Sequence, residues 1–177
     1  NAFSLENLNT YQNINWKEKF GKGWKSNLGL SYSTNKDDIS NELQDASNNK
    51  QVIMTPIDYA LKNFSVVNKA QYAQARLVLE KKLAGLNTLR FGTEYLYSEE
   101  KTAYTLFNGT VFNESVKDNM VAGFAETDFY ITNNIAAKLG VRTEHTAILN
   151  KWNVAPRASL AYKFKDNRQA SFAYGIL

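Results

Sequence analysis

The sequence has no cysteine, one histidine and two prolines in 177 residues. Without cysteine there is no disulfide and no thiolate metal site. One histidine is too few for a histidine-based metal centre. No apolar run approaches the ~20 residues that a membrane helix requires. Mean hydropathy is −0.45, which excludes a helical membrane protein. It does not exclude a membrane barrel, whose strands are only half apolar. An excess of one charge is missing too. Lys and Arg number 21 against 17 Asp and Glu, a net charge of +4. The basic residues are spread along the chain, with no cluster suited to nucleic acid. There is no catalytic triad, phosphate loop or metal-ligand spacing, so no enzyme and no cofactor is expected. The chain opens on Asn1, without an initiator Met or a signal peptide. A processed chain or an internal piece of a longer one is the expectation.

Aromatics, by contrast, make up 13% of the residues, with ten tyrosines. These residue types favour pleated sheet. The stretch Thr132 to Leu177 shows the pattern that the rest repeats. Ile135, Ala137, Leu139, Val141 and Thr143 alternate with Ala136, Lys138, Gly140, Arg142 and Glu144. The alternation restarts after Asn153, with Val154, Pro156, Ala158, Leu160, Tyr162 and Phe164 on one face. After Asn167 it restarts again, with Ala170, Phe172 and Tyr174. A period of two with one apolar face predicts amphipathic strands. Lys165 to Arg168 reads as a tight turn.

Upstream, strands are expected near Leu8–Phe20, Trp24–Thr34, Val66–Leu83, Thr88–Ser98 and Met120–Ile131. Gly21-Lys22-Gly23, Ala84 to Asn87 and Thr132 to Asn134 read as tight turns. Asn35–Asn63 and Glu99–Asn119 read as long polar loops. Residues 56–61 could form a helical turn in the first, and Asn108-Gly109 a small hairpin in the second. The sum is about eight strands whose longer connections all lie at one end.

Alternation alone is common to every sheet with one wet face. Three features favour a membrane barrel over a soluble one. The strands exceed the ~5–6 residues usual in soluble proteins. Turn length is asymmetric from end to end. Aromatics gather near strand ends, where a headgroup layer would meet them. The expected fold is therefore an all-β, antiparallel, up-and-down transmembrane barrel segment. A closed barrel is required because backbone groups in lipid must all be paired.

At "LGVRTEHT" (Leu139 to Thr146) and "NVAPRASLAYKFKDNRQASFAYG" (Asn153 to Gly175), the sequence resembles the barrel of TonB-dependent outer-membrane receptors. It looks most like the Bacteroidetes group with a carboxypeptidase-regulatory-like N-terminal domain. "FGKGWKSNLGLSYSTNKDD" and "VAGFAETDFYITNNIAAKLG" look like further hairpins of that barrel. The Pro156-Arg157 strand and the Tyr-Gly strand end are the most specific elements. The resemblance implies a 22-stranded barrel closed by a plug, importing a siderophore, glycan or peptide with energy from the inner membrane. The implied partners are outer-membrane lipid, the plug and remaining barrel strands, TonB through an N-terminal region absent here, and a surface lipoprotein. Nothing in residues 1–177 resembles the plug or a TonB box. The chain ends at Tyr174-Gly175-Ile176-Leu177 without the terminal aromatic strand of outer-membrane barrels, so a middle portion of the barrel is expected.

Arg90, Glu94, Arg142, Glu144 and Arg157 are the candidate site residues, as a charged wall facing the lumen. Opposite charges on neighbouring strands stabilise a sheet without any ligand; contact with the plug or the substrate path is the other reading. Asp37, Asp38, Glu42 and Asp45 lack the spacing of a calcium loop and read as a solvated acidic segment. Glu126 and Asp128 share a face, with no nucleophile beside them to suggest acid–base chemistry. His145 reads as a rim residue. Two other functions fit an eight-stranded reading: a complete small outer-membrane barrel, structural or adhesive, and a soluble binding barrel of lipocalin type.

Overall fold

A computed structural model describes residues 1–165 and 168–176. Eight strands form one sheet in the order β1-β2-β3-β4-β5-β6-β7-β8, each beside its neighbour in sequence. They are β1 (Ala2–Lys19), β2 (Trp24–Glu42), β3 (Phe64–Lys82), β4 (Thr88–Leu106), β5 (Val111–Tyr130), β6 (Ile135–Thr146), β7 (Lys151–Lys163) and β8 (Gln169–Gly175). One short helix, α1 (Ile57–Ala60), lies in the β2–β3 connection, within the expected helical turn.

The alternating pattern sets the faces. In the β6–β7 ladder Leu139 opposes Ala158 and Val141 opposes Pro156, while Lys138 opposes Ser159 and Arg142 opposes Ala155. In β7–β8, Leu160 opposes Phe172 and Arg157 opposes Gly175. The apolar face is uncovered. Phe172 is 71% exposed, Leu139 51% and Leu160 50%. Leu43, Ala60, Ala70 and Ala122 are the only buried apolar residues among those described. A compact protein of 20.1 kDa exposes about 8,700 Å² by surface scaling. This chain exposes 12550 Å². Its apolar face has no core of its own to fill.

The tight turns at Gly21–Gly23 and around Gly85 are as expected. Gly21 and Gly23 have φ of 53° and 77°, a left-handed conformation that glycine adopts without strain. The expected turn Lys165–Arg168 includes Asp166 and Asn167, which lie outside the described residues.

The far ends of the strands correct the reading of the sequence. β1 begins at Ala2, ahead of the expected start near Leu8, and Asn35–Glu42 continues β2. Glu99–Asn119 is no loop. β4 runs on to Leu106 and β5 begins at Val111, so Asn108-Gly109 closes a full-length hairpin. There Leu106 N–H donates to the Thr110 carbonyl at 2.9 Å. Only residues 43–63 remain a long connection, so the expected asymmetry of turn length gives way to an asymmetry of strand length. β2 to β5 have 19 or 20 residues, β6 and β7 have 12 and 13.

The described residues group into two compact units. One holds residues 1–12, 32–73 and 98–117; the other holds 13–31, 74–97 and 118–177. In the first, the 43–63 connection folds on Asn63, which is 3% exposed. Its side chain accepts from Leu43 N–H and donates to the Gln51 carbonyl, both at 2.9 Å. The four acidic residues of this region do not converge. Asp37 accepts from Asn7 and Asn35, Asp38 pairs with Lys36, Glu42 pairs with Lys50, and Asp45 accepts from the backbone of Ser47 and Asn49.

Candidate functional site: a charge ladder on the polar face

The second unit carries the candidate residues, on the face opposite Leu139 and Leu160. Two rows of charge cross its strands. In the first row, Lys25 of β2 pairs with Glu80 of β3 at 2.8 Å, and Glu80 with Arg90 Nε of β4 at 2.8 Å. Arg90 Nη1 reaches Asp128 at 3.0 Å and Glu126 at 3.3 Å on β5. Lys138 of β6 lies 3.4 Å from Asp128 and 3.8 Å from Glu126. The signs alternate from strand to strand, and Arg90 and Lys138 are each shared between carboxylates.

The turns put these groups level with one another. Leu83 and Asn87 close the β3–β4 turn, and Ile131 and Ile135 close the β5–β6 turn. Glu80 and Arg90 each stand three residues outside the first pair; Asp128 and Lys138 stand three outside the second. Asp128 and Lys138 are direct partners in the ladder.

The second row lies further along the strands. Gln74 donates to Glu94 Oε1 at 2.6 Å. Both terminal nitrogens of Arg142 donate to Glu94 Oε2 at 3.1 Å, and Arg142 Nε donates to Glu144 at 3.0 Å. Between β4 and β6 stands Phe124 of β5, in register with Arg142. Its ring lies below the Arg76 guanidinium at 5.8 Å, a cation–π distance. A side chain at Gly92 would strike this ring and the Leu77 carbonyl oxygen. The glycine leaves the space that Phe124 fills.

Four of the five candidate residues are thus brought into the rows: Arg90, Glu94, Arg142 and Glu144. Arg157 is not. It is in register with Gly140 on one side and Gly175 on the other. Among the described residues it has no ion-pair partner. It lines a groove of about 580 Å³ together with Lys138, Arg142 and Glu144. Lys25, Gln74 and Glu80 complete the rows and were not singled out from the sequence. Glu126 and Asp128 spend their charge on Arg90 and Lys138, which fits a structural role. Half-exposed pairs contribute little singly, about 0.2–1 kcal/mol. Removing one member of a shared set costs more, because it leaves a partly desolvated charge bare.

His145 packs on Trp152, its direct ladder partner, with ring centroids 5.0 Å apart. Among the described residues no cluster of His, Cys, Asp or Glu could hold a metal ion.

The second unit is thus antiparallel sheet with one bare apolar face and one face of paired charges. The family model for the TonB dependent receptor-like β-barrel matches residues 2–175, and the chain belongs to that family. Proteins of this family with known placement are outer-membrane transport receptors. The fold is similar to the crystal structure of a point mutant of the ferric enterobactin receptor of Pseudomonas aeruginosa, at 15% identity and a TM-score of 0.71. The match covers 96% of this chain and 25% of that one, so the chain spans about a quarter of the receptor's length. No curated protein matches the sequence.

Proposed function

We propose that the chain is a stretch of the wall of an outer-membrane receptor that imports its substrate with energy drawn from the inner membrane. The observation that carries this is the bare apolar face backed by a face of paired charges, in a chain of this family. Lipid covers the first face. The second faces the lumen, where Arg90, Glu94, Arg142, Glu144 and Arg157 line the wall. On this reading residues 1–177 are one barrel segment. The plug, the TonB-contacting region and the remaining strands of the 22-stranded barrel belong to the parent chain. A siderophore, glycan or peptide is the cargo, with a surface lipoprotein as a further partner.

A complete eight-stranded barrel is the competing reading. It needs β1 hydrogen-bonded to β8. The strand order instead ends at β1 and β8, which supports continuation into further strands.

The test is uptake by cells that carry the intact parent receptor. Uptake of a siderophore, glycan or peptide should stop when the proton gradient is dissipated and when the receptor is deleted. Uptake that survives an uncoupler would overturn the energy-coupled reading.

A further inference from the structure

β5 outruns β6. The β5–β6 ladder starts at Met120, opposite Thr146, and runs to Tyr130. One bond lies beyond it, from Ala147 N–H to the Asn119 carbonyl at 2.9 Å. β5 itself starts at Val111, with β4 as its neighbour on the other side. On the β6 side no strand pairs with residues 111–116 among those described. These residues are all exposed.

The backbone of this edge points outward. Successive residues of an antiparallel strand turn their N–H and C=O groups to opposite neighbours. The Thr110 carbonyl accepts from Leu106 N–H and so faces β4, while the Asn119 carbonyl accepts from Ala147 N–H and faces the β6 side. Even-numbered residues of β5 therefore bond to β4. The N–H and C=O groups of Val111, Asn113 and Ser115 stand along the open edge. An alternating row of donors and acceptors at this spacing is matched by an extended polypeptide, which adds as a further strand. Proteins blunt such edges with proline, lysine or a bulge. Val111 to Val116 hold no proline and no lysine. The even–odd order also holds from Thr110 to Asn119, so no bulge turns the edge away.

We propose that residues 111–116 of β5 are a docking edge for an extended segment of a second protein, added to the sheet as a strand. The side chains select its pattern. Phe112 and Val116 share one side of the strand and are 59% and 47% exposed. Glu114 stands between them, with no ion-pair partner among the described residues. Across a strand pair, apolar residues favour apolar ones and opposite charges favour each other. The guest strand therefore carries apolar, basic and apolar residues at alternate positions on that side. The edge works in the same way whichever medium meets the two faces of the sheet, so it does not rest on the function proposed above.

The test uses the intact parent receptor in lipid nanodiscs and a labelled, end-capped peptide, Thr-Val-Thr-Lys-Thr-Val-Thr. Its pattern reads the same in both directions, so either strand orientation presents it. Fluorescence polarisation reads binding, and mass-spectrometric amide exchange reads protection at Val111, Asn113 and Ser115. The peptide should bind saturably, and the three amides should exchange fast in the free receptor and slowly in the complex. Ser115→Pro removes an edge N–H and spares the bonds to β4. It should weaken binding about ten-fold, and Ser115→Thr should keep it. Glu114→Lys should weaken binding about five-fold and favour a peptide with Glu in place of Lys. N-methylation of one alternate set of peptide residues should abolish binding, and of the other set should spare it. No saturable binding, equal binding by the parent and Ser115→Pro, or equal effects of the two methylated sets would overturn strand addition. Slow exchange of the three amides in the free receptor would show an edge already covered by the parent chain and overturn the site. A receptor dimer that Ser115→Pro splits would make a second copy the occupant and overturn the assignment to another protein.

Discussion

Glu94 and Arg142 join strands that are not neighbours. One carboxylate oxygen on β4 accepts both terminal nitrogens of a guanidinium on β6, at 3.1 Å, across the whole of β5. The backbone ladder ties each strand only to the next. This pair adds a tie over two steps, past the Phe124 ring that fills the space left by Gly92. A double-mutant cycle with Glu94→Gln and Arg142→Gln in the folded parent receptor should give a coupling energy of about 1 kcal/mol, within the range for contacting members of one network. Additive single effects would mean that the pair contributes nothing.

Gly92 and Gly123 lie on adjacent strands and differ in the space above them. A Cβ at Gly92 would come within 2.9 Å of the Phe124 ring, while at Gly123 nothing lies closer than 4.0 Å. Gly92→Ala should therefore lower stability by about 1–3 kcal/mol through overpacking. Gly123→Ala should be near neutral. Urea unfolding in lipid measures both, and equal effects would contradict the packing described.

The two faces of β6 should respond differently to charge. Leu139→Arg should cost ~2–4 kcal/mol if its position is near the bilayer midplane. Lys138→Leu should cost less, since it trims one arm of a shared ion-pair set. Equal costs in a lipid-based unfolding assay would reject the faces.

Asp45 gives the 43–63 connection a pH dependence. The Asn49 backbone N–H, followed by that of Ser47, donates to its carboxylate and holds its pKa below the usual carboxylate range. The folded pKa is depressed, so the ionised form favours the folded turn. That contribution is present above the unfolded pKa and is lost as pH falls through the folded value. Amide exchange at Ser47 and Asn49 should therefore accelerate, relative to the intrinsic rate, as pH falls through this depressed value. Asp45→Asn should flatten the profile. A wild-type profile as flat as the variant's would remove the carboxylate from the account.

The strands that were legible are those whose two faces differ most. β6 to β8 alternate because one side is apolar and the other carries Lys138, Arg142 and Arg157. Asn35–Glu42 and Glu99–Leu106 were read as loops because both of their faces are polar. Asn35, Lys36, Asp37 and Asp38 show no period, yet the ladder continues through them. Side-chain pairs such as Asn7 with Asn35 and Asn68 with Thr102 bridge strands there. Period two reports a contrast between the two faces, and it fades where both carry polar side chains. The ladder was legible in part for a related reason. Glu80 with Arg90, and Asp128 with Lys138, follow from counting outward from a tight turn. Lys25 with Glu80 follows the long 43–63 connection, and Glu94 with Arg142 skips a strand. Neither distance can be counted along the chain.

In the placement proposed above, the apolar face meets lipid and the charged face meets the lumen. The absence of cysteine from these residues lets single cysteines be introduced one at a time along β6 and β7 of the parent receptor. Spin labels at positions 137 to 142 and 156 to 161, in lipid, would be read for collision with oxygen and with a water-soluble nickel complex. Labels replacing Leu139, Val141, Ala158 and Leu160 should favour oxygen. Those replacing Lys138, Gly140, Arg157 and Ser159 should favour nickel, with a period of two along each strand. A flat profile, or one with the two sets exchanged, would contradict the account.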